Sequence, residues 1–351
     1  MRKGAAATIA GVTALAVSFG STSLAAAQPL APSGVHSSAA SLANRGEAMR
    51  TPAPYAGATF DSGLKIGKVP AKPGMLMNTV RLDPNVGLSA AGQQFRFSYS
   101  TTNQHGTVAP STGAMFFPKG KPPAGGWPVL AWAHGTVGLA DQCTPSINPR
   151  SARDTDYLNH WLNQGYAIVA SDYAGMSTDG LMSYLNGKST AANVVDSVIA
   201  AQGLPVVKQR KQKLSRNWAV IGQSQGGGAA LHVALRATSR SKEANLNFVG
   251  TVATGAPAYV EEIVLAGSPT FPPVPLPAGL NTYAMYILAA FREANPNIDV
   301  DSALTPEGKR MVKAAEGSCY HELSSALKGT NVARAFSKPL RDVPGLEPAL
   351  R

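Results

Sequence analysis

The residues best suited to chemistry lie in WAVIGQSQGGGAAL, Trp218 to Leu231. Ser224 stands there with Gly222 two positions before it and Gly226 two after it. A serine hydroxyl is a poor nucleophile until it is held clear of its own chain and served by a base. A sharp strand-to-helix turn lifts it in that way, but crowds the positions two before and two after. Glycine at 222 and 226 removes the side chains that would clash. In a chain with 35 glycines the spacing alone is a weak signal. A buried strand before it and a tight, small-residue helix after it make the signal specific. The competing reading is a glycine-rich turn with an idle serine.

Acyl transfer at such a serine builds negative charge on a carbonyl oxygen, which needs preorganised N–H donors. One should come from the residue after the nucleophile, Gln225. The other should come from a loop closing an upstream strand, and VLAWA does run into His134-Gly135-Thr136. Gly135 and Thr136 are therefore the candidate donors. His134 precedes the serine, against the usual chain order for this chemistry. It reads better as a structural histidine bonding its own loop.

These residues need elements to position them. Phe95, Phe97 and Tyr99 alternate with polar residues in QFRFSYS, and STGAMFFP follows beyond the turn-forming NQHG. VLAWA and YAIVASDY, Tyr166 to Tyr173, read as buried strands, as do WAVIG and NFVGTVATGAP, Asn247 to Pro257. Helices are predicted over DTDYLNHWLNQG, with Asp154 as cap and Gly165 as stop, and over STAANVVDSVIAAQG from Ser189. The elbow helix should run to about Arg236. Strand and helix alternating in this way predict an α/β fold, a mostly parallel sheet with helices on both faces.

The ends and the charge set further bounds. Arg2 and Lys3, an uncharged run from Ala5 to Val17, and Ala25-Ala26-Ala27 have the order of a secretory signal over 1–27. That run is shorter than the roughly 20 apolar residues a membrane span needs. The mature chain is therefore expected outside the cell. Residues 28–60 are rich in Ala, Ser, Pro and Gly and read as a linker or loosely attached arm. The net charge of +11 falls to +9 once Arg2 and Lys3 leave. Its densest cluster, KQRKQKLSR from Lys208 to Arg216, has no interleaved aromatics and reads as a solvated loop rather than a nucleic-acid site. Basic charge favours contact with anionic membranes or cell-wall polymers. Two cysteines, Cys143 and Cys319, form an even pair, which in an exported protein suggests a disulfide. No metal-ligand spacing occurs, so neither metal nor cofactor is expected.

Through VLAWAHGTVGLADQCTPS, ASDYAGMSTDG, IGQSQGGGAAL and the LTPEGKRM…C pattern, the chain from about Asp61 to Arg351 resembles the secretory lipases related to the secreted fungal lipase A. The resemblance implies an α/β-hydrolase fold with a helical cap inserted after the sixth strand. It implies Ser224 as nucleophile, hydrolysis of carboxylic esters such as acylglycerols, and a disulfide between Cys143 and Cys319. On that reading the core spans 61–257, the cap or lid 258–345, and 346–351 begin a return to the core. Residues from Tyr259 onward read independently as helices. LNTYAMYILAAFREA is apolar on more than one face, Thr305-Pro306 opens another helix, and SPTFPPVPLPAG could serve as a lid. Met285, Ile287, Leu288 and Phe291 fit an acyl tunnel or ordinary packing equally well.

The acid and base should follow the serine, each on a loop after a further strand. His232 lies eight residues down the elbow helix, roughly 12 Å of rise from Ser224, too far to take its proton. His321 lies in a helical segment, with Asp299 and Asp301 before it and no strand between. Asp172 and Asp342 are misplaced. The triad Asp and His are thus expected beyond residue 351. Three readings stay open: an ester hydrolase whose sequence here ends early, a shortened homologue that binds lipid under its cap, and a basic surface-binding protein that keeps the fold.

Overall fold

Seven strands form one sheet in the order β1-β2-β3-β5-β4-β6-β7. The computed structural model describes residues 46–351, so the signal expected at 1–27 lies outside the described residues. The strands are β1 (Leu76–Arg81), β2 (Ala91–Thr102), β3 (Val108–Pro118), β4 (Trp127–Ala133), β5 (Ala167–Ser171), β6 (Leu214–Gln223) and β7 (Asn247–Thr254). β1–β2, β2–β3 and β3–β5 pair antiparallel, whereas β5–β4, β4–β6 and β6–β7 pair parallel. The β2–β3 hairpin turns where NQHG stands, and the Asn103 carboxamide oxygen accepts from the His105 and Thr107 N–H groups.

Alternation along the strands builds two cores, one on each face. Phe97, Tyr99, Val129, Ala131, Val169 and Val220 point to the larger one. Phe116, Leu130, Trp132, Ile168, Ala170 and Ile221 point to the other. Helix α1 (Ala152–Asn163) covers the smaller core through Leu158 and Leu162. Helices α2 (Gly187–Ala201) and α3 (Gln225–Glu243) cover the larger one. β4 and β5 are buried on both faces, which is why they read as unbroken apolar runs.

Helix ends follow capping chemistry rather than the first periodic residue. Ser151, not Asp154, caps α1, its hydroxyl accepting from the Asp154 N–H at 3.2 Å. Asn186 caps α2 by accepting from the Ser189 N–H, so that helix begins two residues before Ser189. α3 continues through Arg236 to Glu243.

After β7 the chain is helical: α4 (Val260–Leu265), α5 (Ala278–Ala294), α6 (Pro306–Gly317), α7 (Tyr320–Ala326) and α8 (Leu346–Leu350). Among the described residues no strand interrupts this stretch beyond isolated bridges. Thr305 caps α6, its hydroxyl accepting from the Gly308 N–H at 3.0 Å, with Pro306 in the first turn. Residues 46–60 carry no helix or strand beyond a single bridge, yet they are tied down rather than loose. The Glu47 and Arg50 N–H groups donate to the Gly329 and Ala326 carbonyls, and the Phe60 N–H donates to that of Ile147. Asp61 then pairs with the buried Arg96.

Candidate functional site

Ser224 is the residue between β6 and α3, and its backbone sits at φ 55°, ψ −122°. That region costs a residue with a side chain about 1–3 kcal/mol, and the surroundings hold it there. The Ser224 N–H donates to the Thr254 carbonyl at 2.9 Å, and the Ser224 carbonyl accepts from the Gly228 N–H at 3.1 Å. The flanking glycines are obligatory. A methyl group on Gly222 would lie 1.9 Å from the Gly226 carbonyl oxygen, and one on Gly226 would lie 1.9 Å from that of Ala133. Ser224 itself is half-buried.

The loop after β4 meets this turn because β4 and β6 are neighbours, with Ala133 opposite Gly222. A methyl on Gly135 would stand 3.8 Å from the Ser224 Cβ and 3.3 Å from the Gln223 carbonyl oxygen, so the two loops touch. Gly135, Thr136 and Ser224 line one cavity of about 480 Å³. Among the described residues no hydrogen bond takes the N–H of Gly135, Thr136 or Gln225. Gln225 opens α3, where the first N–H groups have no acceptor within the helix. Its side chain faces away and helps line a neighbouring cavity of about 490 Å³. The Gly135 and Thr136 N–H groups thus belong to the loop that touches the Ser224 turn, and the Gln225 N–H to the residue after the serine.

His134 stays in the loop's structure. Its Nδ1 lies 2.7 Å from the Gly135 carbonyl oxygen and its Nε2 3.4 Å from that of Asp172. The ring packs on Tyr173 with centroids 4.4 Å apart. Burial lowers its pKa below the ordinary histidine range, against the opposing pull of the Gly135 carbonyl and Asp172. Both nitrogens face backbone oxygens, so neither is turned toward Ser224. Asp172 is fully buried below, accepting from the Thr112 hydroxyl at 2.7 Å and the Ser146 N–H at 2.9 Å.

Of the other candidates, His321 lines the Ser224 cavity beside Tyr320 and Glu322. No hydrogen bond joins it to Ser224 among the described residues. Asp299 caps a short turn through the Ser302 N–H, and Asp301 pairs with Arg292 at 2.8 Å. Neither therefore serves His321. His232 lines the neighbouring cavity, its ring within 2.4 Å of where a Gly187 methyl would stand. Met285 and Leu288 are core residues, whereas Ile287 and Phe291 line that neighbouring cavity. Among the described residues no three His, Cys, Asp or Glu side chains gather as a metal site would need.

The helical stretch is tied to the loop after β4 by a disulfide and two hydrogen bonds. Cys143 and Cys319 are bonded. The Tyr320 N–H donates to the Val137 carbonyl at 2.9 Å, and Gln142 Nε2 donates to the Gly317 carbonyl at 2.9 Å. Gly138, at φ 134°, lets the chains meet: a methyl there would lie 2.7 Å from the Cys143 Sγ. Several cavity residues had no marker in the sequence. Tyr184 meets the Thr136 Oγ1 at 2.6 Å, and Tyr55, from the N-terminal arm, lines the Ser224 cavity and donates to Asn148. Arg153 donates to the Gln223 side chain at 3.0 Å.

The secretory lipase family profile matches residues 151–323. No curated protein sequence matches the chain. Among solved structures, Candida antarctica lipase A is similar at a TM-score of 0.60 and 19% identity, over 80% of this chain. The chain spans 63% of the length of that lipase. The rice cell wall degrading esterase LipA from Xanthomonas oryzae is similar at a TM-score of 0.62 and 21% identity, over 80% of this chain and 78% of the esterase. At these identities the likeness establishes the α/β-hydrolase fold.

Proposed function

We propose that the chain, whose residues 151–323 match the secretory lipase family profile, hydrolyses carboxylic esters, acylglycerols or related lipids, through an acyl-enzyme on Ser224. The observation that carries this reading is Ser224 at a positive-φ turn beside unpaired N–H groups of Gly135, Thr136 and Gln225. In the reaction Ser224 Oγ attacks the ester carbonyl carbon as the carbonyl electron pair moves onto oxygen. The N–H groups receive that charge. The intermediate then expels the alcohol, leaving the acyl group on Oγ, and water releases the acid. A general base takes the serine proton and returns it to the leaving alkoxide. That base is unassigned, since His134 is committed to its loop and His321 shares the cavity without a bond to Ser224.

Export belongs to the same reading and is supported by the order of basic, apolar and small residues in 1–27. So does contact with anionic membrane or cell-wall surfaces, supported by the net charge of +9 that remains once Arg2 and Lys3 leave. A second reading, lipid binding without turnover, is favoured by His134, whose two ring nitrogens lie against the Gly135 and Asp172 carbonyls rather than against Ser224. Hydrolysis of p-nitrophenyl esters, measured beside Ser224→Ala, separates the two. A rate that depends on Ser224 is expected. Equal rates for both proteins would overturn hydrolysis and leave binding.

A further inference from the structure

Two hydroxyls beside the oxyanion site form a pair that the proposed reaction leaves unused. Thr136 Oγ1 and the Tyr184 hydroxyl oxygen lie 2.6 Å apart, and among the described residues neither has another hydrogen-bond partner. Their surroundings differ. Tyr184 is 7% exposed and packs its ring on Tyr286, whose hydroxyl donates to the Ser318 carbonyl at 3.0 Å. Thr136 is half-buried and lines the Ser224 cavity.

Burial drives the Tyr184 pKa upward, so the phenol keeps its proton. A buried O–H needs an acceptor within the protein. Here that acceptor is Thr136 Oγ1. A hydroxyl that accepts one bond still carries one proton to give. With Tyr184 donating to its oxygen, Thr136 turns its own proton away from Tyr184, and the half-buried side chain leaves the Ser224 cavity as the open direction. Accepting a bond also polarises the Thr136 hydroxyl and strengthens it as a donor.

We propose that the Thr136 hydroxyl is an oxyanion donor additional to the backbone N–H groups, and that Tyr184 is the positioning residue that fixes its direction. The proposal rests on the Ser224 reading given above. No covalent step is added. As Ser224 attacks, the charge on the former carbonyl oxygen gains a hydrogen bond from the Thr136 side chain, and loses it when the carbonyl reforms.

The test uses the full chain and the Ser224-dependent rate, defined as the rate in excess of Ser224→Ala. Removing one oxyanion donor costs about 100- to 1,000-fold in kcat elsewhere. Thr136→Val is therefore expected to lower kcat by about 100-fold with KM little changed. Thr136→Ser, which keeps the hydroxyl, should restore most of it. Tyr184→Phe leaves the threonine hydroxyl free to turn, so kcat should fall by about 10-fold, again with KM held. In the Thr136→Val background Tyr184→Phe should have no further effect, because the two act as one unit. Thermal melts of each variant separate lost donors from lost folding. Turnover that survives Thr136→Val, or a Tyr184→Phe loss that persists without the threonine hydroxyl, overturns this proposal alone. No Ser224-dependent rate in the unsubstituted protein overturns it together with the reading beneath it.

Discussion

At the residue scale, backbone oxygens occupy the space that side chains at 222 and 226 would need. The collision at Gly226 is with the Ala133 carbonyl of β4, a strand buried on both faces that cannot give way. Gly226→Ala should therefore force the elbow apart rather than merely crowd it. Overpacking costs about 1–3 kcal/mol, and backbone against backbone belongs at the upper end. The expected outcome is a lower melting temperature and loss of the Ser224-dependent rate. Gly228→Ala is the control, since its methyl would meet nothing nearer than 3.7 Å. A Gly226→Ala protein with unchanged turnover would refute the obligatory role. Ser224, Gly222 and Gly226 were legible because the constraint acts within five consecutive residues. Tyr184 was not, because its partner Thr136 lies 48 positions away and only folding brings them together.

At the element scale, α2 and α3 are joined through a buried carboxylate. Asp196 on α2 pairs with Arg240 on α3 at 3.2 Å and accepts from the Thr101 hydroxyl on β2 at 2.9 Å. Burial raises its pKa from 3.8 to about 6, more than Thr101 and Arg240 together lower it. Between those two values the folded protein holds a proton that the unfolded chain releases. Stability from this group therefore grows as pH falls from about 6 toward 3.8, and is lost as pH rises back through 6. A shift of that size is at most about 3 kcal/mol. Urea melts of the native protein and Asp196→Asn, run at about pH 7 and about pH 4.5, should show the native protein gaining on the variant at the lower pH. Parallel pH dependence would sink the assignment. Helices α1 and α2 were legible from their periodicity, but their starts were not. Ser151 and Asn186 cap them from positions outside the apolar repeat. β1 went unseen because Leu76–Arg81 is a half-buried edge strand without clean alternation.

At the scale of the whole molecule, the disulfide spans 176 residues and fixes the helical stretch against the loop that carries Gly135 and Thr136. Closing so long a loop removes roughly 5 kcal/mol of unfolded-chain entropy in the simple model. The far side of the molecule is less well protected. Among the described residues β7 ends the sheet, and no residue from Asn247 to Thr254 is charged or proline. Val249 and Val252 are 60% and 49% exposed, and Leu235 of α3 is 80% exposed. Strand edges elsewhere are guarded by lysine, proline or a bulge, because unpaired N–H and C=O groups recruit other chains. Here a bulge at Val249 interrupts the pairing with β6, and the remaining guard is the net charge of +11, which repels a second copy at long range. Salt removes that guard, since the screening length shrinks from about 10 Å at 0.1 M to about 3 Å at 1 M. Light scattering should therefore rise with added salt and with protein concentration. Val249→Lys with Val252→Lys should suppress the rise, because each places a charge beside the unpaired backbone. The melting temperature should stay near that of the unsubstituted protein, as both side chains are exposed already. Salt-induced association that is unchanged in the double variant would show that another surface drives it.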